Sequence, residues 1–207
     1  MSNAKDWLGN RKTTFVQLGA SNHSEKDRET NDFYATDPQT LEKFLKTLDK
    51  DGFKLHKNIW ECACGMGHLS KVLEGKKYNV ISTDLINRGF GWGGVNFLDC
   101  EYKKIANTNF DILTNPPYKY ATEFVERSLE ILENGYYCIM LLKIQFLEGK
   151  ARKKLFEKYP PKFVYVNSER QTCYINGDMS KKMSSASCYC WFIWEKGFKG
   201  ETKIRWI

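Results

Sequence analysis

The chain has 207 residues and a mass of 24.2 kDa, a length that favours one domain with one substantial core. Its hydrophobic fraction of 42% and aromatic fraction of 14% exclude a disordered chain. No apolar run is long enough to span a bilayer and no basic-then-apolar stretch opens the sequence, so we expect a cytoplasmic protein with no membrane partner. The net charge of +7 is uneven: residues 1–140 carry 18 Lys and Arg against 19 Asp and Glu, whereas residues 141–207 carry 14 against 6. Such a basic third is typical either of a polyanion-binding face or of a solubilising surface.

The seven cysteines are odd in number, and none lies in a Cys-x-x-Cys pair. This pattern fits neither a disulfide framework nor a zinc site, so we expect no metal. The pairs Cys62/Cys64 and Cys188/Cys190 lie in apolar stretches and are predicted to be small buried hydrophobic residues.

The first predicted helix follows a polar N-terminal segment. Residues 1–32 are interpreted as an arm, which leaves residues 33–207 as a single domain. Asp37 and Pro38 are typical of a helix start, with Asp as the cap and Pro in the first turn. The apolar positions that then recur at helical spacing are Leu41, Phe44, Leu45 and Leu48.

From residue 58 onward, apolar strand-like segments alternate with helix-like segments. The predicted strands are 59–64, 78–83, 95–97, 110–113, 136–142, 163–166 and 187–194. The predicted helices are 68–73, 121–132 and 150–159. This alternation is typical of an α/β fold with a mostly parallel, seven-stranded sheet and helices on both faces. In such sheets a ligand binds beyond the carboxyl ends of the strands.

The first three strand ends carry residues suited to a nucleoside. The loop 61–67 has small residues and two glycines that let a ligand approach the backbone, although an ordinary strand-to-helix turn has the same features. The carboxylate of Asp84 could accept hydrogen bonds from ribose hydroxyls or cap a helix. Near the third strand end, the carboxylate of Asp99 could accept from the amino group of a cofactor adenine, with Phe97 or Leu98 beside the ring.

The fourth strand ends in Asn115-Pro116-Pro117-Tyr118. Asn115 and Pro116 each precede a proline, which favours an extended and stiff loop. The Asn115 amide oxygen and the Pro116 carbonyl could then accept both protons of one amino group, and Tyr118 could stack on a base. A proline-rich turn with a capping Asn is the alternative.

These residues resemble the amino-group methyltransferases that act on adenine in DNA, and the resemblance covers most of the chain, from Asp32 to about Gly197. The order of the motif 33–38, the loop 61–67 and the Asn-Pro-Pro-Tyr motif resembles the gamma arrangement of these enzymes. The stretches 19–24, 31–38 and 190–195 are similar to small phage and prophage members. The resemblance implies the Rossmann-like methyltransferase fold, S-adenosylmethionine (SAM) as cofactor and Asn115, Pro116, Pro117 and Tyr118 as catalytic residues. It implies cofactor contacts from Tyr34, Thr36, Pro38, Glu61, Cys62, Ala63, Gly65, Gly67, Asp84, Leu85, Phe97, Asp99 and Asn115.

The implied activity is methyl transfer to the N6 amino group of adenine in DNA, with the base flipped out of the duplex. Candidate substrate contacts are Tyr118, Tyr174, Arg170 and Lys153. Only about 50 residues separate Gly65 from Asn115, so no separate target-recognition domain is expected between them. An RNA adenine or guanine amino methyltransferase remains an alternative, as does an inactive nucleic-acid-binding module on the same fold. Target sequence, strand preference and oligomeric state stay open.

Overall fold

A computed structural model describes residues 34–169, 172–175, 183–184 and 187–207. The predicted arm of residues 1–32 lies outside these ranges. The strands are β1 Tyr34–Thr36, β2 Asn58–Glu61, β3 Asn79–Ser82, β4 Asp111–Thr114, β5 Tyr137–Lys143, β6 Phe163–Val166, β7 Thr172–Ile175, β8 Met183–Ser184, β9 Tyr189–Glu195 and β10 Lys203–Trp206. The helices are α1 Pro38–Lys50, α2 His68–Gly75, α3 Tyr102–Ile105, α4 Ala121–Ile131 and α5 Lys150–Lys158, with 3-10 turns at Tyr118–Tyr120 and Ile144–Leu147.

Seven strands form one twisted sheet in the order β10-β6-β9-β5-β4-β2-β3. All neighbouring strands are parallel except at β9, which runs antiparallel to both β5 and β6. The predicted α/β class and the mostly parallel, seven-stranded sheet are therefore confirmed.

Successive residues of the strands point to opposite faces of the sheet and build two cores. On one face, Ile112, Met140 and Phe192 pack in a cluster that includes residues of α4 and α5. On the other face, Leu113, Ile139 and Trp191 pack in a cluster that includes residues of α1 and α2. The prediction of helices on both faces is confirmed.

The start of α1 follows its predicted signals. Asp37 is the N-cap, its Oδ1 accepts from the backbone N of Gln39 at 3.0 Å, and Pro38 is the first helical residue. The predicted apolar face is buried in the second core: Leu41, Phe44, Leu45 and Leu48. Within the described ranges, no helix has both the length and the apolar character needed to cross a membrane.

The predicted strand 95–97 is wrong, and β10 supplies the seventh strand instead. Residues 97–99 form a turn in which the Asn96 side chain accepts from the backbone N of Leu98 at 3.2 Å, while its carbonyl accepts from Asp99 and Cys100. A local side-chain bond of this kind competes with strand pairing. Phe97 is buried by packing edge-on to Trp60, with the ring centroids 5.2 Å apart, so its apolar character reflects core packing rather than a strand.

The predicted burial of cysteines holds for Cys62, Cys64 and Cys190, whereas Cys188 is half-buried; Cys138 is buried as well. All five are free thiols. Burial raises the pKa of Cys138 to about 12, which keeps this thiol protonated and apolar.

A second, smaller antiparallel sheet consists of β1, β7 and β8. Thr36 pairs with Cys173 and Ala35 with Tyr174. This sheet sets Thr36 beside the loop that follows β4, because the Nδ2 of Asn115 donates to Thr36 Oγ1 at 2.8 Å.

Candidate active site

The loops after β2, β3 and β4 surround a cavity of about 480 Å³ at one edge of the large sheet. The carboxyl ends of these parallel strands meet at the same edge, so residues far apart in sequence converge there. The sequence-predicted residues that line the cavity are Thr36, Glu61, Cys62, Ala63, Gly65, Asp84, Leu85, Phe97, Asn115, Pro116, Pro117 and Tyr118.

Asp84 joins two of these loops. Its Oδ2 accepts from the backbone N of Gly65 and its Oδ1 accepts from that of Ile86, each at 2.8 Å. A carboxylate oxygen can accept two hydrogen bonds, so each oxygen retains capacity for one further donor. Asp84 therefore anchors the loop after β2 and is also a potential acceptor for ligand hydroxyls.

The two predicted glycines of the first loop have different surroundings. Gly65 lines the cavity with φ of 54°. Gly67 has φ of 78° and lies outside the cavity wall; a Cβ there would lie 2.4 Å from the Phe90 ring. Gly67 thus gives room to a neighbouring aromatic ring and sets the start of α2.

Glu61 is a buried carboxyl group at the end of β2. Burial raises its pKa to about 8, although the hydrogen bond that its Oε2 accepts from Ser70 Oγ acts in the opposite direction. Ser70 Oγ also lies 2.7 Å from Ser82 Oγ on β3. This polar cluster ties β2, β3 and α2 together beneath the cavity wall.

The side chain of Asn115 is satisfied at its nitrogen but not at its oxygen. Nδ2 donates to Thr36 Oγ1, whereas the buried Oδ1 has no hydrogen-bond partner among the described residues. A buried amide oxygen without a partner costs free energy, about 1–3 kcal/mol, unless a ligand supplies a donor. Asn115 belongs to the cavity lining, so its unpartnered oxygen lies in the wall of the cavity.

Tyr118 is half-buried in the wall of the cavity. Its ring centroid lies 5.9 Å from that of Tyr189 on β9, and Lys143 Nζ lies 5.3 Å from the Tyr118 ring. Two residues later, Tyr120 also lines the cavity and is 42% exposed. Sequence analysis did not single out Tyr120, although its position just after the Asn-Pro-Pro-Tyr motif was a usable signal.

Several predicted site residues lie outside the cavity lining. Pro38 begins α1, and Asp99 is exposed at the end of the turn 97–99. The contact of Asp99 with a cofactor adenine stays a prediction. Lys153 is exposed on α5, 3.5 Å from Glu157. The structure describes Tyr34 and Tyr174 only as members of β1 and β7, and Arg170 lies outside the described residues.

Leu98, predicted as an alternative to Phe97 beside the cofactor ring, also lines the cavity. Other lining residues were missed by sequence analysis, namely Cys64, His68, Leu69, Ile86, Arg88, Val95, Asn96, Lys119, Tyr120 and Phe124. Burial, together with the nearby Lys71, lowers the pKa of His68, which favours a neutral imidazole. Most of the missed lining residues neighbour a predicted site residue along the chain. A position just after a strand end was therefore a partial signal of membership in the site. Among the described residues, no group of His, Cys, Asp and Glu side chains is arranged to hold a metal ion.

Comparisons with known proteins bear on the fold. The sequence matches no family model and no curated protein. A candidate class I SAM-dependent methyltransferase from Listeria monocytogenes aligns with a TM-score of 0.58 and 12% identity over 95% of this chain and 72% of that one. A candidate RNA methyltransferase from Pyrococcus horikoshii aligns with a TM-score of 0.59 and 12% identity over 92% of this chain and 100% of that one. The methyltransferase subunit of a type I restriction-modification system from Streptococcus thermophilus aligns with a TM-score of 0.56 and 16% identity. The alignment covers 82% of this chain but only 45% of the subunit. The chain has the fold of class I SAM-dependent methyltransferases.

Proposed function

We propose that this chain transfers a methyl group from SAM to the N6 amino group of adenine in DNA. The observation that carries the proposal is the buried, unpartnered Oδ1 of Asn115 in the cavity wall. An amino group is the complementary ligand, because it brings donors to an acceptor that the protein leaves open.

The residues of the cavity fit SAM. Asp84 has spare acceptor capacity for the two ribose hydroxyls, and the Gly65 backbone allows close approach. Phe97 and Asn96 lie in the same cavity, on the segment that follows β3, and suit an adenine ring better than the exposed Asp99. Bound SAM supplies an electrophilic methyl group.

Asn115 and Pro116 would activate the target nitrogen. The lone pair of an exocyclic amino group is delocalised into the ring, which makes the nitrogen a poor nucleophile. Hydrogen bonds from its two protons to Asn115 Oδ1 and the Pro116 carbonyl favour a pyramidal nitrogen with a localised lone pair. These bonds strengthen as positive charge develops on nitrogen, so they stabilise the transition state more than the ground state.

DNA is the proposed substrate because an aromatic wall and a basic surface accompany the acceptor. Tyr118 offers a flat face for a flipped base, and the helix α5 carries exposed Lys150, Lys153 and Lys154. RNA is the second candidate, since the Pyrococcus horikoshii protein of similar fold is described as an RNA methyltransferase.

The first prediction concerns Asn115→Ala. We expect turnover to fall by about 100- to 1,000-fold, because one preorganised acceptor at a developing charge is lost. SAM affinity should change little, whereas the melting temperature should fall slightly, because the hydrogen bond from Nδ2 to Thr36 Oγ1 is also lost. Activity is measured with radiolabelled SAM on DNA, RNA and protein, followed by mass spectrometry of the nucleosides.

Asn107→Ala is the matched control, because Asn107 is exposed and outside the cavity lining. N6-methyladenine formed only on DNA, and lost only with Asn115→Ala, supports the proposal. Methylated RNA nucleosides would favour the second candidate. Binding of nucleic acid without SAM binding or methylation by the wild-type protein would reject an enzymatic function.

A further inference from the structure

Thr36 is buried, with 7% of its surface exposed, and is the last residue of β1. Its side-chain oxygen lies 2.8 Å from Asn115 Nδ2 and accepts a hydrogen bond from it. Thr36 also lines the cavity. The sequence alone implied a cofactor contact for this residue, whereas the structure places its hydroxyl against the amide that the proposed mechanism uses.

We infer that Thr36 is a positioning residue that holds the Asn115 amide in place, with Nδ2 against Thr36 and Oδ1 left without a partner in the described protein. The inference rests on the proposed function for its catalytic meaning. Without this hydrogen bond, rotation of the side chain would move the Asn115 oxygen away from the position that the reaction needs.

The restraint comes from an element outside the large sheet. Asn115 follows β4, a central strand, while Thr36 is held in the small sheet, where its backbone pairs with Cys173 of β7. The Asn115 side chain is therefore fixed between two sheets. Because Pro116 and Pro117 stiffen the backbone of the loop, the remaining freedom of the amide is rotation of its own side chain.

A neighbouring threonine provides a matched control. Thr114 is fully buried directly before Asn115, yet its Oγ1 has no hydrogen-bond partner among the described residues. Thr36→Val and Thr114→Val each replace a buried hydroxyl by a methyl group at nearly constant volume. Only the first removes a bond to Asn115.

The test measures single-turnover rate, SAM affinity by calorimetry and melting temperature for the two valine variants and for Thr36→Ser. We expect Thr36→Val to lower the rate by roughly 10- to 100-fold, as misplacement of a catalytic group does. SAM affinity should stay within about twofold. Thr36→Ser keeps the hydroxyl and should restore most of the rate, and Thr114→Val should match the wild type. Thr36→Ala must reproduce the valine loss, so that the result does not depend on how one replacement packs.

Side-chain amide NMR separates this inference from the proposed function. In the wild type, one Asn115 Nδ2 proton should be shifted and protected from exchange by Thr36, and both signatures should vanish in Thr36→Val. An unchanged rate and amide spectrum in Thr36→Val would overturn the inference, as would a loss of SAM affinity that accounts for the whole rate effect. A wild-type protein that methylates nothing while the amide signatures respond as expected would overturn the proposed function and, with it, the catalytic role of the hydrogen bond.

Discussion

Two polar side chains of the cavity are satisfied by the protein to different degrees. Both carboxylate oxygens of Asp84 accept backbone N–H groups, whereas the Asn115 amide is held only through its nitrogen. Asp84 therefore has a structural role in addition to its proposed contact with the ligand, whereas the Asn115 oxygen has no hydrogen-bond partner in the described protein. Substitutions at the two positions should differ in kind.

For Asp84→Ala we expect severe loss of SAM binding together with lower stability. The ribose hydroxyls lose their acceptor, and the Gly65 and Ile86 N–H groups lose theirs, at about 1–3 kcal/mol for each buried group left unpaired. Calorimetry measures the affinity and thermal unfolding measures the stability. Asp84→Asn, which keeps one side-chain oxygen, should be milder in both. Unchanged SAM affinity in a folded Asp84→Ala protein would contradict the assignment.

Tyr118 should act through the face of its ring. Tyr118→Phe keeps the ring and should be mild, whereas Tyr118→Ala should lose roughly 1–3 kcal/mol of stacking on the flipped base. The readout is kcat/KM for DNA, compared with fluorescence of a 2-aminopurine target that reports flipping. If the Phe variant were as inactive as the Ala variant, the hydroxyl would be required and the proposed mechanism would need a proton-transfer step.

At the scale of elements, the loops of the site were predicted, whereas isolated short strands were not. The loops after β2, β3 and β4 were located because strand-like runs give way to small, acidic or Asn-Pro residues, although β2 ends at Glu61 and not at Cys64 as predicted. The assignment of 95–97 as a strand failed because Phe97, in a glycine-rich segment, packs into the core from a turn. The strand β10 was missed although Lys203–Trp206 alternates polar and apolar residues, as edge strands do. The β1–β7 pairing joins residues more than 130 positions apart, which no local pattern reveals.

Among the described elements, the helix α5 is the best place to test whether the basic third of the sequence binds nucleic acid. Lys150, Lys153 and Lys154 are exposed, whereas Arg152 is committed to the protein because its guanidinium lies 5.2 Å from the Phe146 ring and its Nε donates to the Glu148 carbonyl. Lys181 and Lys182, in the same basic third of the sequence, lie outside the described residues. The lysines of α5 can therefore be substituted with little effect on the packing of the protein.

Neutralising Lys153 and Lys154 together to Gln should weaken DNA binding similarly for all sequences. The slope of log affinity against log salt should become shallower by about 0.9 for each phosphate that the protein no longer neutralises. Lys46→Gln with Lys50→Gln is the matched pair, since these residues are exposed on α1, a helix on the opposite face of the sheet. Equal salt slopes for both double variants and the wild type would mean that α5 is only a solubilising surface.

For the whole molecule, buried carboxyl groups make stability depend on pH. Glu61 has a folded pKa of about 8 against 4.5 for an ordinary glutamate, because burial disfavours its charged form. The folded state thus binds more protons between these values, and stability from this group declines as pH rises from about 4.5 to about 8. Asp111, buried where β4 begins and bonded to His56 and Tyr137, also has its pKa raised by burial.

Comparing wild type with Glu61→Gln isolates the first group, because Asp111 is present in both. We expect the wild type to lose stability relative to Glu61→Gln as pH rises from about 5 to about 8, measured by urea unfolding at several pH values. Glu42→Gln, at an exposed position on α1, is the control. A stability difference that is constant across this range would show that Glu61 ionises in the folded protein as it does in the unfolded chain.

The position of β9 has a consequence for how the chain folds during synthesis. This strand leaves the ribosome after β5 and β6, yet it lies between them and pairs with β5 along its whole length, from Tyr189 to Glu195. A nascent chain that contains β2 to β5 and the Asn-Pro-Pro-Tyr loop therefore has one long open edge at β5 until β9 is made. Such an unpaired edge favours pairing with other chains. The residues of the cavity are translated before the strand that completes the sheet beside β5, so folding depends on residues that follow β6.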